Sequence, residues 1–190
     1  MPRKTVLFVT NSEYGQANTI LALCAELLTH EDINVHISSF SNLQKRVEWL
    51  QNRIENAASS TITFHPLNDV PTTIDVIMAG IGEDGLRHPP STRDASIYHL
   101  VDEFTAPHEP NDYINLVNEL KHTITNTVPN IVVVDMAFPP GIEACRVLHQ
   151  RYLINSPLQA LDIIRPLQPN LRMFWYYPVC ASSLRALLTH

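Results

Sequence analysis

Hydrophobic positions along this chain switch between two periods, and each switch marks an element. Thr5 to Thr10 is a short β-branched and apolar run, the composition of a strand buried on both faces. From Asn18 the pattern changes. Ile20, Leu21, Leu23, Cys24, Leu27 and Leu28 recur at spacings of three and four, an apolar stripe on one side of a helix. The segment between them, Asn11 to Ala17, is polar, carries a glycine and reads as a loop. Asn34 to Phe40 alternates Val35, Ile37 and Ser39 against His36 and Ser38, a second strand. In the following segment, residues 42–58, Leu43, Val47, Leu50 and Ile54 share a face opposite Lys45, Arg46, Glu48, Gln51 and Arg53, which predicts a helix. Ser60 to His65 is a third strand. The order β-α-β-α-β predicts an α/β fold: a Rossmann-like, mainly parallel sheet with helices on both faces.

The middle of the chain is less patterned. Thr73 to Ala79 fits a strand or a short helix equally well. Ser91 to Phe104 fits a helix capped by Ser91. Over Asn111 to Thr127, Tyr113, Leu116, Val117, Leu120 and Ile124 line one face of a helix with Asn111 as cap, and Pro129 stops it. Ile131 to Asp135 is a continuous β-branched strand closed by an acid. Gly141 to Gln150 is a helix and Tyr152 to Asn155 a short strand, after which prolines space the chain, with Leu158 to Ile164 as one short helical stretch.

Bulk properties narrow the field. At 190 residues the chain fits one domain with a full core, residues 1–190, and is too short for two of ordinary size. A net charge of −6 argues against nucleic-acid partners, because no basic stripe is present to neutralise phosphates. Three cysteines with no CxxC spacing read as reduced residues, Cys24 and Cys145 in helix cores and Cys180 uncommitted. No apolar run reaches the length of a membrane span or a signal peptide. The expectation is a cytoplasmic protein.

Three stretches resemble a known family. The run 8–27, FVTNSEYGQANTILALCAEL, is similar to the opening of UDP-glycosyltransferases, especially the fungal branch, where a Glu-His-Gly-Gln-Ala-Asn loop leads into the first helix. Val132 to Pro157 resembles that family's strand ending in Asp, its Gly-[Ile/Leu]-[Asp/Glu]-Ala-Cys helix and its strand running into Ser-Pro. FWYYP, Phe174 to Pro178, resembles the family's WKYP segment. The resemblance implies one lobe of the two-lobed GT-B fold, the one that binds the acceptor. In inverting members a first-loop histidine takes the proton of the acceptor hydroxyl, and a strand-end aspartate holds it, as in any His–Asp pair.

On that resemblance Asp135 takes the aspartate position and Tyr14 stands where fungal relatives have histidine, or Gln16 does on the plant-type pattern. A tyrosine hydroxyl ordinarily ionises near pKa ~10 and glutamine does not titrate, so neither is a ready base at neutral pH. Tyr14 reads as an acceptor contact, a substitute base, or a loop aromatic that merely packs. Glu13 is a carboxylate base or simply solvated, and Asn18 caps the first helix or touches ligand. Asp135 is a site residue or caps the turn that follows. Glu13, Gly15, Gln16 and Asn18 form the expected substrate contacts.

Other motifs carry less. Gly80 to Gly85 fits GxGxxG, but Pro89 and Pro90 forbid the helix a dinucleotide needs, and Glu83 and Asp84 repel a diphosphate. The nine histidines show no i, i+3 or i+4 pairing and read as scattered surface or capping residues, with no metal site. No stretch resembles the donor lobe with its His, Cys-Gly and Asn-Ser signature. The chain is expected to be an acceptor-binding half of a hexosyl (glucosyl) transferase, inactive alone and truncated relative to the family. It is expected to take a small hydrophobic acceptor, to hold no cofactor itself, and to meet a UDP-sugar only when a protein partner supplies a donor lobe. The alternative is a noncatalytic interaction protein that pairs with a donor-lobe or full-length relative.

Overall fold

The computed structural model describes residues 3–30, 32–54, 62–67, 70–72, 75 and 108–156. The chain divides into two compact units, residues 1–73 with 108–157 and residues 74–107 with 158–190. Five expectations lie outside the described residues: the helix over 91–104, the GxGxxG stretch, Leu158 to Ile164, Cys180 and FWYYP. So does all of Thr73 to Ala79 except Asp75.

The described elements run β1 (Lys4–Val9), α1 (Tyr14–Leu27), β2 (Ile33–Phe40), a short 3-10 turn (Ser41–Leu43), α2 (Gln44–Ile54), β3 (Ile62–Leu67), α3 (Pro110–Thr127), β4 (Ile131–Asp135), α4 (Pro139–Val147) and β5 (Tyr152–Asn155). The strands form one parallel sheet in the order β3-β2-β1-β4-β5. This is the α/β, Rossmann-like sheet that the sequence pattern predicts. Pro66 lies inside β3, opposite Ser39. It is tolerated there because β3 closes one side of the described sheet, and edge strands are where proline is accommodated.

Alternation along the strands fills two cores. Leu7, Val9, Val132 and Val134 pack with Leu116, Leu120 and Ile124 of α3 and Ala144 and Cys145 of α4. Phe8, Val35 and Ile37 face the other way, against Ala17, Ile20 and Cys24 of α1 and Val47 of α2. Fully burying each large aliphatic side chain contributes about 1.5–3 kcal/mol, so these two layers hold the sheet between its helices. Both Cys24 and Cys145 are buried free thiols, as the helical pattern implies; burial pushes the Cys145 thiol up to about 11 and raises that of Cys24 as well.

Gly141 sets how closely α4 lies on the sheet. A Cβ there would stand 2.8 Å from Cγ1 of Val9 and 2.8 Å from Cγ1 of Val134. Valine side chains are stiff at χ1 and cannot swing aside.

Two capping expectations are corrected. α1 starts at Tyr14, so Tyr14 to Ala17 is helix rather than loop, and Asn18 lies a full turn inside it instead of capping it. The N-cap is Glu13, whose carbonyl accepts the Ala17 N–H at 2.8 Å, and the Asn11 side chain accepts the Glu13 N–H at 3.0 Å. Likewise α3 is entered through Glu109 and Pro110, with Asn111 already helical. Proline suits a first helical position because its absent N–H has no intrahelical partner there.

Candidate functional site

In parallel sheets the strand order reverses at a point where loops leave in opposite directions and open a crevice. Here that point lies between β1 and β4, whose pairing sets Val9 beside Val134 and so brings Thr10 beside Asp135. The strands are apolar through their middles and turn polar at this edge: Ser38 and Ser39 on β2, Thr10 to Ser12 after β1, Asp135 on β4 and Asn155 on β5. Thr10, Asn11, Ser12, Ser38, Ser39 and Asp135 are all buried.

Asp135 is wholly buried and tightly held. Its Oδ2 accepts the Thr10 hydroxyl at 3.0 Å and its Oδ1 accepts the Ala137 N–H at 2.9 Å, so it does cap the following turn. The Asn11 backbone N–H donates to it as well. Burial raises its pKa, and these three hydrogen bonds pull part of the shift back. By contrast the hydroxyls of Ser12, Ser38 and Ser39 are buried with no hydrogen-bond partner among the described residues. Such groups are rare in folded proteins, because each forgoes its bonds to water without replacement.

The remaining expected site residues sit at the first turns of α1. Tyr14 is 71% exposed, and its ring lies under the Arg46 guanidinium of α2, 4.1 Å from carbon to centroid. Gly15 faces open space, so a side chain there meets nothing. The Gln16 carbonyl accepts the Thr19 hydroxyl at 2.8 Å, and Thr19 in turn accepts the Asn155 amide at 2.9 Å, tying α1 to the end of β5. Asn18 accepts a hydrogen bond from Arg46. The described contacts thus gather Thr10, Asn11, Ala137 and Asp135 into one cluster and turn Tyr14, Asn18 and Arg46 toward α2.

One arrangement corrects the sequence reading. His36 and His65 are not scattered surface residues: their rings stack at 5.2 Å, with Nδ1 of His36 2.9 Å from Nε2 of His65. Burial lowers the pKa of both, and at His65 the neighbouring His36 lowers it further. They are 29 residues apart in the chain, beyond any helical spacing, and only the β2–β3 register joins them. Among the described residues, no group of three or more His, Cys, Asp or Glu side chains is gathered to hold a metal ion. No described helix is long and apolar enough to cross a membrane.

This parallel sheet, with helices on both faces and a polar carboxyl edge at the order reversal, is the architecture of a Rossmann-like lobe of GT-B glycosyltransferases. Comparison with solved structures shows the same fold. The glycosyltransferase of kitacinnamycin matches with a TM-score of 0.55 at 13% identity, covering 88% of this chain and 35% of that one. SsfS6 of Streptomyces sp. SF2575, a glycosyltransferase solved with thymidine diphosphate, matches with a TM-score of 0.54 at 11% identity, covering 81% and 38%.

In sequence the chain is similar to glycosyltransferase sdnJ of Sordaria araneosa, 29% identical over 190 residues, covering 95% of this chain and 37% of that protein. The chain therefore spans little more than a third of that curated relative. No family model matches it. The likeness to glycosyltransferases, a fungal one included, and to a GT-B lobe is borne out.

Proposed function

We propose that this chain is the acceptor-binding half of a UDP-sugar-dependent hexosyl (glucosyl) transferase, inactive until a donor lobe is supplied by another chain. The observation that carries the reading is the buried polar carboxyl edge at the reversal of strand order, which holds Asp135 and the Ser12, Ser38 and Ser39 hydroxyls, these three without a hydrogen-bond partner among the described residues. Orphaned polar groups at that edge suit hydrogen bonds to a polar group of a bound molecule whose remaining body is a small hydrophobic one.

In an inverting transfer the acceptor oxygen forms a bond to the anomeric carbon while the diphosphate departs with the electron pair of the bond that breaks. The acceptor proton passes to a base. Asp135 holds the place of the acid that orients such a base, and Tyr14 the place of the base itself. Glu13, Gly15, Gln16 and Asn18 border the approach along the start of α1.

The experiment combines this chain with a separately produced donor lobe of a related glycosyltransferase and follows sugar transfer. Alone, the chain should give no heat on titration with UDP-glucose. In the mixture, Tyr14→His should raise the transfer rate and Asp135→Ala should abolish it. Clear UDP-glucose binding by the chain alone, or rates indifferent to both substitutions, would overturn the reading.

A second reading, a noncatalytic interaction protein, is favoured by one observation: Tyr14 is engaged by Arg46 and makes no described contact with Asp135. On that reading the donor lobe binds and no sugar moves, with Tyr14→His included.

A further inference from the structure

The groove between α1 and α2 is a cavity of about 560 Å³, a volume in the range of small-molecule sites. Tyr14, Asn18, Leu21, Ala22 and Ala25 line it from α1, and Lys45, Arg46, Trp49 and Leu50 from α2. Helical geometry explains the set, since residues three and four apart share a face. Ala22 and Ala25 are what keep the groove open. At these positions longer side chains would fill the space between the helices.

Its chemistry is one-sided. The lining holds two cations, Lys45 and Arg46, and no acid, although the chain as a whole carries −6. Arg46 is fixed from two directions, by Asn18 and by the Tyr14 ring beneath it. A guanidinium so held offers a preset fork to a carboxylate. Beside it Trp49 is a large exposed aromatic, 56% accessible, with the Arg53 guanidinium 4.5 Å over its ring.

We propose that this cavity binds a planar aromatic carboxylate. Its ring would lie on the floor made by Leu21, Ala22 and Ala25 against Trp49, and its carboxylate would meet the Arg46 guanidinium and the Lys45 ammonium. The site shares Tyr14 and Asn18 with the proposed acceptor approach but includes neither Asp135 nor the hydroxyls of its edge, and the inference does not depend on glycosyl transfer.

Calorimetric titration of the full chain with 1-naphthoate, against 1-naphthalenemethanol as the uncharged counterpart, tests it. Two-dimensional amide NMR reports where each probe binds. The acid should bind at least about tenfold more tightly than the alcohol, the difference expected of one charge-assisted contact. Amide shifts should concentrate in residues 14–25 and 45–50. Arg46→Met should remove that preference.

Because Arg46 also supports Tyr14 and Asn18, Ala25→Leu gives a second arm. It fills the floor and leaves every polar contact in place, and it should weaken the acid about tenfold or more with an unchanged urea midpoint. Asp135→Ala should leave binding of the acid intact. Equal affinity for acid and alcohol would overturn the proposal, as would shifts centred on the Ser38–Asp135 edge. So would no binding of the acid at millimolar concentration, or indifference to both Arg46→Met and Ala25→Leu.

Discussion

Asp135 shows how one side chain serves structure and chemistry through the same atoms. Its carboxylate accepts from Thr10, Asn11 and Ala137, so its charge is compensated locally, yet burial still raises its pKa. A raised folded pKa means that the folded state binds the proton more tightly than the unfolded chain. The ionised form therefore costs stability at neutral pH, and the cost is relieved as pH falls through the raised value. Asp135→Asn keeps an acceptor for Ala137 and offers Thr10 a donor. Its unfolding free energy at pH 7, from urea titration, should stay within about 1 kcal/mol of the parent, whereas Asp135→Ala should lose about 1–3 kcal/mol by stranding buried donors. If asparagine proves as harmful as alanine, the negative charge itself holds this edge together. The sequence placed an acid at the end of a buried strand, and that much was legible. Its partner Thr10 was not, because 125 residues separate the two and only strand pairing joins them.

At the scale of elements, legibility followed burial. β4 and β5 have the bounds that their apolar runs predict, Ile131–Asp135 and Tyr152–Asn155. α1 begins earlier than its pattern suggests because Tyr14, Gly15 and Gln16 point away from the core, so periodicity starts only at Ala17, the first buried position. Helix ends show a related blind spot. α3 ends on Val128 in the left-handed region, with φ 44° and ψ 56°, where its N–H still reaches the Ile124 carbonyl. α4 closes through His149, φ 51°, with Gln150 N–H on the Cys145 carbonyl and His149 N–H on that of Arg146, the paired bonds of a Schellman ending. Glycine is the residue such positions favour, and a β-branched residue bears the largest penalty. Val128 is 76% exposed, so removing its side chain forfeits little packing. Val128→Gly should raise the thermal midpoint, by an amount equivalent to about 1 kcal/mol. A fall would mean that the valine side chain makes a contact outweighing its backbone strain.

At the scale of the whole molecule, three half-buried histidines bear on its response to acid. Burial lowers the pKa of His36, His65 and His108, and at His108 nearby Asp112 restores part of the shift. The unfolded chain takes up protons near the ordinary histidine value of about 6.5, and the folded state resists them. Stability is therefore intact above that pH and is lost as pH falls from about 6.5 toward the lowered folded values. Urea midpoints should drop between pH 7.5 and 5.5, and the double substitution His36→Gln with His65→Gln should flatten the slope. An unaltered slope would place the proton uptake elsewhere. The fold class was readable from the order of elements, since each βα unit declares itself locally. The sites were not, because the buried hydroxyls, the histidine pair and the α1–α2 cavity are all made by residues from different units.

Gly141 carries one more implication. With a hydrogen as its side chain it nests between the methyl groups of Val9 and Val134. Three positions on three segments thereby behave as a lock of fixed total volume. Enlarging any one requires trimming another, so drift at residue 141 has to be read together with residues 9 and 134. Because Asp135 directly follows Val134, that lock also governs how far the polar edge can shift as the sequence changes.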